Sequence, residues 1–243
     1  MPQRTYRQEL KYLIHYPDAA LLRQRLGAVM RRDAHAGPDG RYRVRSLYFD
    51  DLFGTAYAQK VEGLGVRRKY RVRVYGAAEG GARLERKSRC GAGIFKQSAA
   101  LTVEEARRLE RGDAAFLRDS GQALSRECYC DWVMRGLRAR VVVDYEREAF
   151  VLPEGDVRIT LDTHVRAGMG SLYDAKLPMV EALGADRLIL EVKFTNYLPR
   201  LVRRLLPPDA CELTAASKYV MCCDALAGRR VEDERRRWTW KAR

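Results

Sequence analysis

Residues 67–75 read Arg67-Arg68-Lys69-Tyr70-Arg71-Val72-Arg73-Val74-Tyr75. In an extended chain side chains alternate between faces, so Arg67, Lys69, Arg71 and Arg73 fall on one side. Arg68, Tyr70, Val72 and Val74 fall on the other. Cations crowded on one face repel, which suits either a solvent-screened surface or a shared polyanion. For one strand alone the solvated face is the simpler account, but the pattern recurs. Glu9 and Lys11 share a face, as do Arg83, Glu85, Lys87 and Arg89. So do Tyr145 and Arg147, then Arg158, Thr160 and Asp162, then Glu191 and Lys193. Several opposite faces are apolar: Leu10, Tyr12 and Ile14; Ile159 and Leu161; Leu190, Val192 and Phe194. If these strands close into a barrel, the charged faces converge on one lumen. A lumen of cations with a few carboxylates suits a metal–polyphosphate complex. Arginine grips phosphate oxygens in pairs, and lysine supplies a point charge.

The elements that must position these residues alternate along the chain. Residues 4–15 read as a strand, and Pro17-Asp18 opens a helix with Leu21, Leu22, Leu26, Val29 and Met30 at helical spacing. Gly37-Pro38-Asp39-Gly40 is a turn before a strand over Arg41–Asp50. A short helix over Ala56–Val61 ends at Gly63, with Asp50-Asp51 as its N-cap. Strands at 66–75 and 82–89 flank a Gly-rich hairpin loop, and Cys90–Lys96 reads as a flexible loop that sets a cation over a pocket. Residues 102–135 read as helical, opened by the capping box Thr102-x-x-Glu105. Arg138–Leu152 and Val157–Thr163 form a hairpin around Pro153–Asp156. Residues 164–186 are a loop or short helix, Leu188–Phe194 a strand, Pro199–Leu206 a short helix, and Leu213–Leu226 mostly helical. The sum is about eight antiparallel strands closing into a barrel, an α+β fold with helices outside. Residues 1–228 form one domain and 229–243 a charged tail.

The chain has 243 residues, 46 Lys+Arg against 32 Asp+Glu, and a formal net charge of +14. That balance points to a polyanionic partner: nucleic acid, anionic membrane or a phosphate-rich substrate. Nucleic acid is not expected, because most aromatic residues fall on apolar strand faces rather than among exposed cations. No stretch approaches the ~20 apolar residues of a membrane span. The six cysteines lack zinc spacing. Without a secretory signal, they predict a cytoplasmic protein with reduced thiols.

Eight short pieces, in order, resemble the VTC (vacuolar transporter chaperone) polyphosphate polymerase domain, a branch of the triphosphate tunnel metalloenzymes. They are Arg7-Gln8-Glu9-Leu10-Lys11-Tyr12, Ser46-Leu47-Tyr48-Phe49-Asp50-Asp51, residues 67–75, Glu85-Arg86-Lys87, Asp144-Tyr145-Glu146-Arg147, Arg158-Ile159-Thr160-Leu161-Asp162, Glu191-Val192-Lys193 and Ser217-Lys218-Tyr219. No piece is specific alone; the ordered set is, and it covers roughly residues 4–226. One departure is informative. The triphosphatase and cyclase branches are similar to a Glu-x-Glu-x-Lys opening, whereas this chain has Arg7-x-Glu9-x-Lys11. The missing carboxylate favours the polymerase branch. A second departure is that the chain looks like the catalytic domain alone.

The resemblance and the face alignment together imply roles. Arg71, Arg73, Lys87, Arg147 and Lys193 would carry catalysis by neutralising phosphate charge. Lys11, Lys69, Lys96, Tyr145, Arg158 and Lys218 would bind substrate phosphates. Glu191 is the first candidate metal ligand, and Glu9 and Glu85 help it or orient nearby cations. The ion would be Mg²⁺ or Mn²⁺, since hard carboxylate and phosphate oxygens select them. The implied reaction moves the γ-phosphoryl group of ATP onto inorganic polyphosphate or pyrophosphate. Tunnel-type triphosphate hydrolysis and non-catalytic binding of polyphosphate or RNA are the alternatives. Asp162 reads as structural, holding Arg158 or a turn. The pairs Glu9/Lys11, Glu85/Lys87 and Glu191/Lys193 can also be explained as cross-strand ion pairs. The tail, with Trp238 and Trp240 beside arginines, reads first as a disordered end; peripheral contact with anionic lipid or a membrane protein is the alternative.

Overall fold

The computed structural model describes residues 7–76, 81–91, 93–195, 197–206, 212–213 and 216–228. The tail 229–243, Cys211 and most of the loop at 76–81 lie outside the described residues. In chain order the strands are β1 (Arg7–His15), β2 (Arg31–Arg32), β3 (Arg41–Asp50), β4 (Val66–Tyr75), β5 (Ala82–Cys90) and β6 (Gly93–Leu101). They continue as β7 (Arg138–Leu152), β8 (Val157–Gly168), β9 (Val180–Glu181), β10 (Arg187–Thr195) and β11 (Glu212–Leu213). The helices are α1 (Tyr16–Val29), α2 (Thr55–Val61), α3 (Val103–Glu110), α4 (Ala123–Arg135), α5 (Arg200–Leu205) and α6 (residues 218–228).

All the strands join one 11-stranded antiparallel sheet, ordered β11-β1-β10-β8-β7-β3-β4-β5-β6, with β2 on β7 and β9 on β8. The expected closed barrel of about eight strands is corrected: among the described residues no backbone ladder joins β6 to β1 or β11. Part of β1's free edge is taken instead by β11, through Tyr12↔Leu213 and Leu13↔Glu212. The sheet still curls far enough for Lys87 of β5 to reach Glu9 of β1 at 2.7 Å.

Alternation decides what each face meets. Outside β3–β6, Leu47, Phe49, Tyr70, Val72, Leu84 and Leu101 pack on Ala106 and Leu109 of α3 and on Leu124 and Cys128 of α4. Outside β1, β8 and β10, Ile14, Ile159, Leu161, Leu190 and Val192 pack on Leu22 and Leu26 of α1 and Val202 of α5. On the concave side, Val44, Val143, Tyr145 and Ile189 pack against Tyr219 and Cys222 of α6. That helix plugs part of the curl, and the remaining inner face is charged.

Three expectations are corrected. Cys90–Lys96 is not a flexible loop; Gly91, at φ 58, turns the chain tightly into β6, which pairs with β5 along its length. The helix expected over 102–135 is two. The capping box at Thr102 and Glu105 opens α3 as predicted, but Gly112, at φ 88, ends that run, and a short 3-10 turn precedes α4. Residues 164–186 are not simply loop. After a register shift at Asp144/Glu146 and His164 at φ 51, β8 continues to Gly168. A bulge absorbs the polar Thr163-His164 that interrupts the pattern. No helix among the described residues is long and apolar enough to cross a membrane.

Candidate functional site

Cross-strand register brings the inner charges into layers. On β1 and β10, Lys11 lies opposite Glu191 and Glu9 opposite Lys193. Thr160 and Arg158 of β8 lie opposite Glu191 and Lys193. Arg147 of β7 lies opposite Asp162, and across β3 and β4 Arg71 meets Tyr48 and Arg73 meets Ser46.

Two carboxylate-centred clusters result. In the first, Arg147 donates to Asp162 through two bonds, Nε to Oδ1 at 2.6 Å and Nη2 to Oδ2 at 2.8 Å. Lys218, at the start of α6, reaches the same Asp162 at 2.5 Å. Glu191 sits among Lys193 at 2.8 Å, Lys11 at 3.2 Å and Arg147 at 3.8 Å. Burial pushes the Glu191 carboxyl up, but Lys193, Lys11, Lys218 and Arg147 together hold it well below the carboxylate range. Burial likewise opposes ionisation of Asp162, and Arg147 and Lys218 outweigh it. Lys193 goes the other way: burial lowers its ammonium despite Glu191.

The second cluster surrounds Glu85, which is 2% exposed. Arg71 reaches it at 2.6 Å, Lys96 at 2.5 Å and Arg73 at 3.8 Å. Burial raises this carboxyl, yet the three cations bring it down to about 2. Arg71 also donates to the Tyr48 hydroxyl at 2.7 Å, and Arg73 to Ser46 Oγ at 3.1 Å and the Tyr145 hydroxyl at 3.3 Å. The Tyr145 ring lies beneath Lys218 and Arg147, with the cations 4.9 and 5.1 Å from its centre. Tyr145 therefore accepts from Arg73 and supports two cations with its ring.

Of the residues singled out from sequence, Lys11, Arg71, Arg73, Lys87, Arg147, Lys193, Lys218, Tyr145, Glu9, Glu85 and Glu191 all take part in these clusters or in the Glu9–Lys87 bridge. Lys96 joins from a strand rather than a loop. Arg158 is drawn aside to Asp33 and the Tyr42 hydroxyl. Asp162 does not hold Arg158; it holds Arg147 and Lys218. Asp50 and Asp51 anchor the start of α2, accepting from Ala56 N at 2.8 Å and Thr55 N at 2.9 Å. The cross-strand pairing expected of a purely structural face is also present, since Lys11–Glu191 and Arg71–Glu85 are such pairs.

Sequence reasoning missed Ser46 and Lys60. Ser46 carried no charge to mark it, and Lys60 sits on a short helix outside the strand alternation. Lys60 lines a cavity of about 160 Å³ at one end of the lumen with Glu9, Lys69, Lys87, Ser217 and others.

Among the described residues no three acidic, histidine or cysteine side chains gather into a ready-made metal cage. Mg²⁺-type ions are commonly held by one or two carboxylates, with phosphates and water completing the shell. Glu191 and its neighbour Glu9 fit that mode. The buried Thr160 Oγ1 opposite Glu191 has no protein partner. Glu85 is surrounded by cations and orients them.

Curled sheet, cationic lumen and paired internal carboxylates define a phosphate-binding tunnel of the α+β type. The chain belongs to the VTC domain family, whose model matches residues 6–227. Among curated proteins none matches it. Among solved structures it is similar to the putative adenylyl cyclase HpAC1 from Hippeastrum, described as having a dominant triphosphatase activity. The two share 15% identity at a TM-score of 0.54, over 87% of this chain and 92% of that one. A putative adenylate cyclase from Bacillus halodurans follows at 14% identity and TM-score 0.48, over 83% of this chain and 84% of that one. At 15% identity the likeness to the Hippeastrum protein is one of fold alone.

Proposed function

We propose that this protein is a metal-dependent polyphosphate polymerase that transfers the γ-phosphoryl group of ATP to the end of an inorganic phosphate chain. The observation that carries the reading is the convergence of Arg71, Arg73, Lys87, Arg147, Lys193 and Lys218, from four strands and a helix, on one lumen. Phosphoryl transfer needs positioning and charge neutralisation more than covalent help from the protein. A terminal oxygen of the acceptor phosphate attacks the γ-phosphorus. The bond from that phosphorus to the β–γ bridging oxygen breaks, and ADP leaves with the electron pair. The acceptor oxygen is already anionic, so no side chain must remove a proton.

The barrier is repulsion between two anions, and fixed cations lower it without reorganising. Glu85 and Asp162 hold Arg71 and Arg147 in place before substrate arrives, so little side-chain order remains to be gained on binding. Glu191, with Glu9 and the Thr160 hydroxyl, is the set that would hold Mg²⁺ or Mn²⁺. When bound, the ion would supply positive charge that offsets the charge developing on the leaving group.

The test is incubation with ATP, Mn²⁺ and a pyrophosphate primer. Polymer together with ADP is expected. Phosphate release without polymer would make the protein a triphosphatase, and salt-sensitive binding without turnover a polyanion-binding module. Lys193→Ala and Arg71→Ala should each lower synthesis by about a hundredfold; full synthesis in both refutes the site.

A further inference from the structure

The cations of the lumen fall into two populations. Those at its centre come with carboxylates: Arg147 and Lys218 with Asp162, Lys193 and Lys11 with Glu191, Arg71 and Lys96 with Glu85. Those at the end where β4 begins and β5 finishes do not. Arg67 and Arg89 face each other across the two strands. Lys69 lies one step further in, and α2 brings Lys60 over the same cavity of about 160 Å³. Among the described residues no carboxylate pairs with Lys60, Arg67, Lys69 or Arg89. Arg67 donates to the Leu64 carbonyl, and Arg89 to the Gly91 carbonyl at 2.8 Å. Those carbonyls orient the guanidinium groups without neutralising them. Lys69 is 3.5 Å from Ser217 Oγ and lies over the rings of Tyr48 and Tyr219 at 5.5 and 5.7 Å. Among the described residues Glu9 is the carboxylate lining the cavity, and it is held by Lys87.

Grouped cations without counter-charge repel; solvent screens the exposed Arg89, but the half-buried Lys60, Arg67 and Lys69 gain from an anion that joins them. Burial, then mutual repulsion, lowers the pKa values of Lys60, Lys69 and Arg67. An anion in the cavity would relieve both.

We infer that Lys60, Arg67, Lys69 and Arg89 form a second anion station that holds the far end of a linear condensed phosphate, so that the protein selects phosphates by length. This rests on the proposed reading of the tunnel as a phosphate site. Arg67 and Arg71 are four residues apart on one strand, or about 13 Å. A ligand touching both the station and the central grip must be extended and charged along its whole length, which describes a phosphate oligomer. Single-stranded nucleic acid carries such charge too, but it is bound on aromatic stacking platforms, and the cavity is lined by none.

The experiment compares binding of inorganic triphosphate and long-chain inorganic polyphosphate to the full chain. The same is done for the variant Lys60→Ala/Arg67→Ala/Arg89→Ala and for Lys60→Gln alone, with circular dichroism as a check on folding. The triple variant should lose at least about tenfold in affinity for the long chain while triphosphate affinity holds. Lys60→Gln, on a surface helix, should lose a smaller share in the same direction. Equal loss for both ligands, or none for either, overturns the station and leaves the tunnel reading standing. Failure of the unaltered protein to bind triphosphate overturns both. Single-stranded RNA displacing the long chain through the same residues makes the cavity a nucleic-acid groove and overturns the assignment.

Discussion

Glu85 shows how a single side chain sets the site. It is buried and shared by Arg71, Arg73 and Lys96, so its removal strands cations in a low-dielectric place. Glu85→Gln should lower stability by about 3 kcal/mol, read from urea denaturation. The pH dependence follows. Its folded value of about 2 lies below the ordinary 4.5, so the stabilisation is complete above the ordinary value and is lost as pH falls toward 2. The urea midpoint should fall through that window, and by less in Glu85→Gln. Lys87 gives the opposite signal. Burial, offset in part by Glu9, leaves its ammonium at about 8. Phosphate beside it favours the charged form, so triphosphate binding above about pH 8 should take up protons. Calorimetry in buffers of different ionisation enthalpy measures that uptake, and its absence in Lys87→Met assigns it. The identity of these residues was readable from sequence because strand parity puts Lys69, Arg71 and Arg73 on one side. Their partners were not. Whether Asp162 holds Arg158 or Arg147 depends on inter-strand register, which alternation along one strand does not fix.

Elements enter the site through their ends. Asp50 closes β3 and accepts from the backbone of Ala56 and Tyr57 on α2 and from the hydroxyl of Tyr219 on α6 at 2.6 Å. One buried carboxylate thus positions both Lys60 and Lys218. Tyr219→Phe takes one donor from the buried Asp50 carboxylate and should cost about 1–2 kcal/mol by urea denaturation. It should also weaken triphosphate binding, since Lys218 begins the helix that Tyr219 anchors. The bounds of β3 and β4 were legible to the residue; in β4 Tyr70, Val72 and Val74 line one face and Lys69, Arg71 and Arg73 the other. β6 was missed: Gly93-Ile94-Phe95-Lys96-Gln97 shows no clean two-residue period, and its flanking glycines read as loop. The break between α3 and α4 was missed for the opposite reason, since helical residues resume after Gly112 and mask the interruption.

For the whole molecule, a charge of +14 gathered partly inside a curled sheet disfavours the empty state. Triphosphate should therefore raise the melting temperature. Its stabilisation should approach about 2.7 kcal/mol at a hundred times the dissociation constant and shrink with added salt. A matched concentration of sodium chloride serves as control. Composition pointed toward a polyanionic partner, and the resemblance of ordered motifs announced the family. Barrel closure was the expectation that failed, because alternation reports which way side chains point and not whether the first and last strands find each other.

Among the described residues no ladder closes the seam between β6 and β1, and that changes how a polymer can meet this protein. A sealed bore must be threaded from one tip, like a needle. A slit accepts a filament sideways along its length. The Glu9–Lys87 ion pair spans that slit, and Lys87 is also a cation that any incoming phosphate would recruit. Cargo that claims Lys87 thereby unfastens the clasp above it.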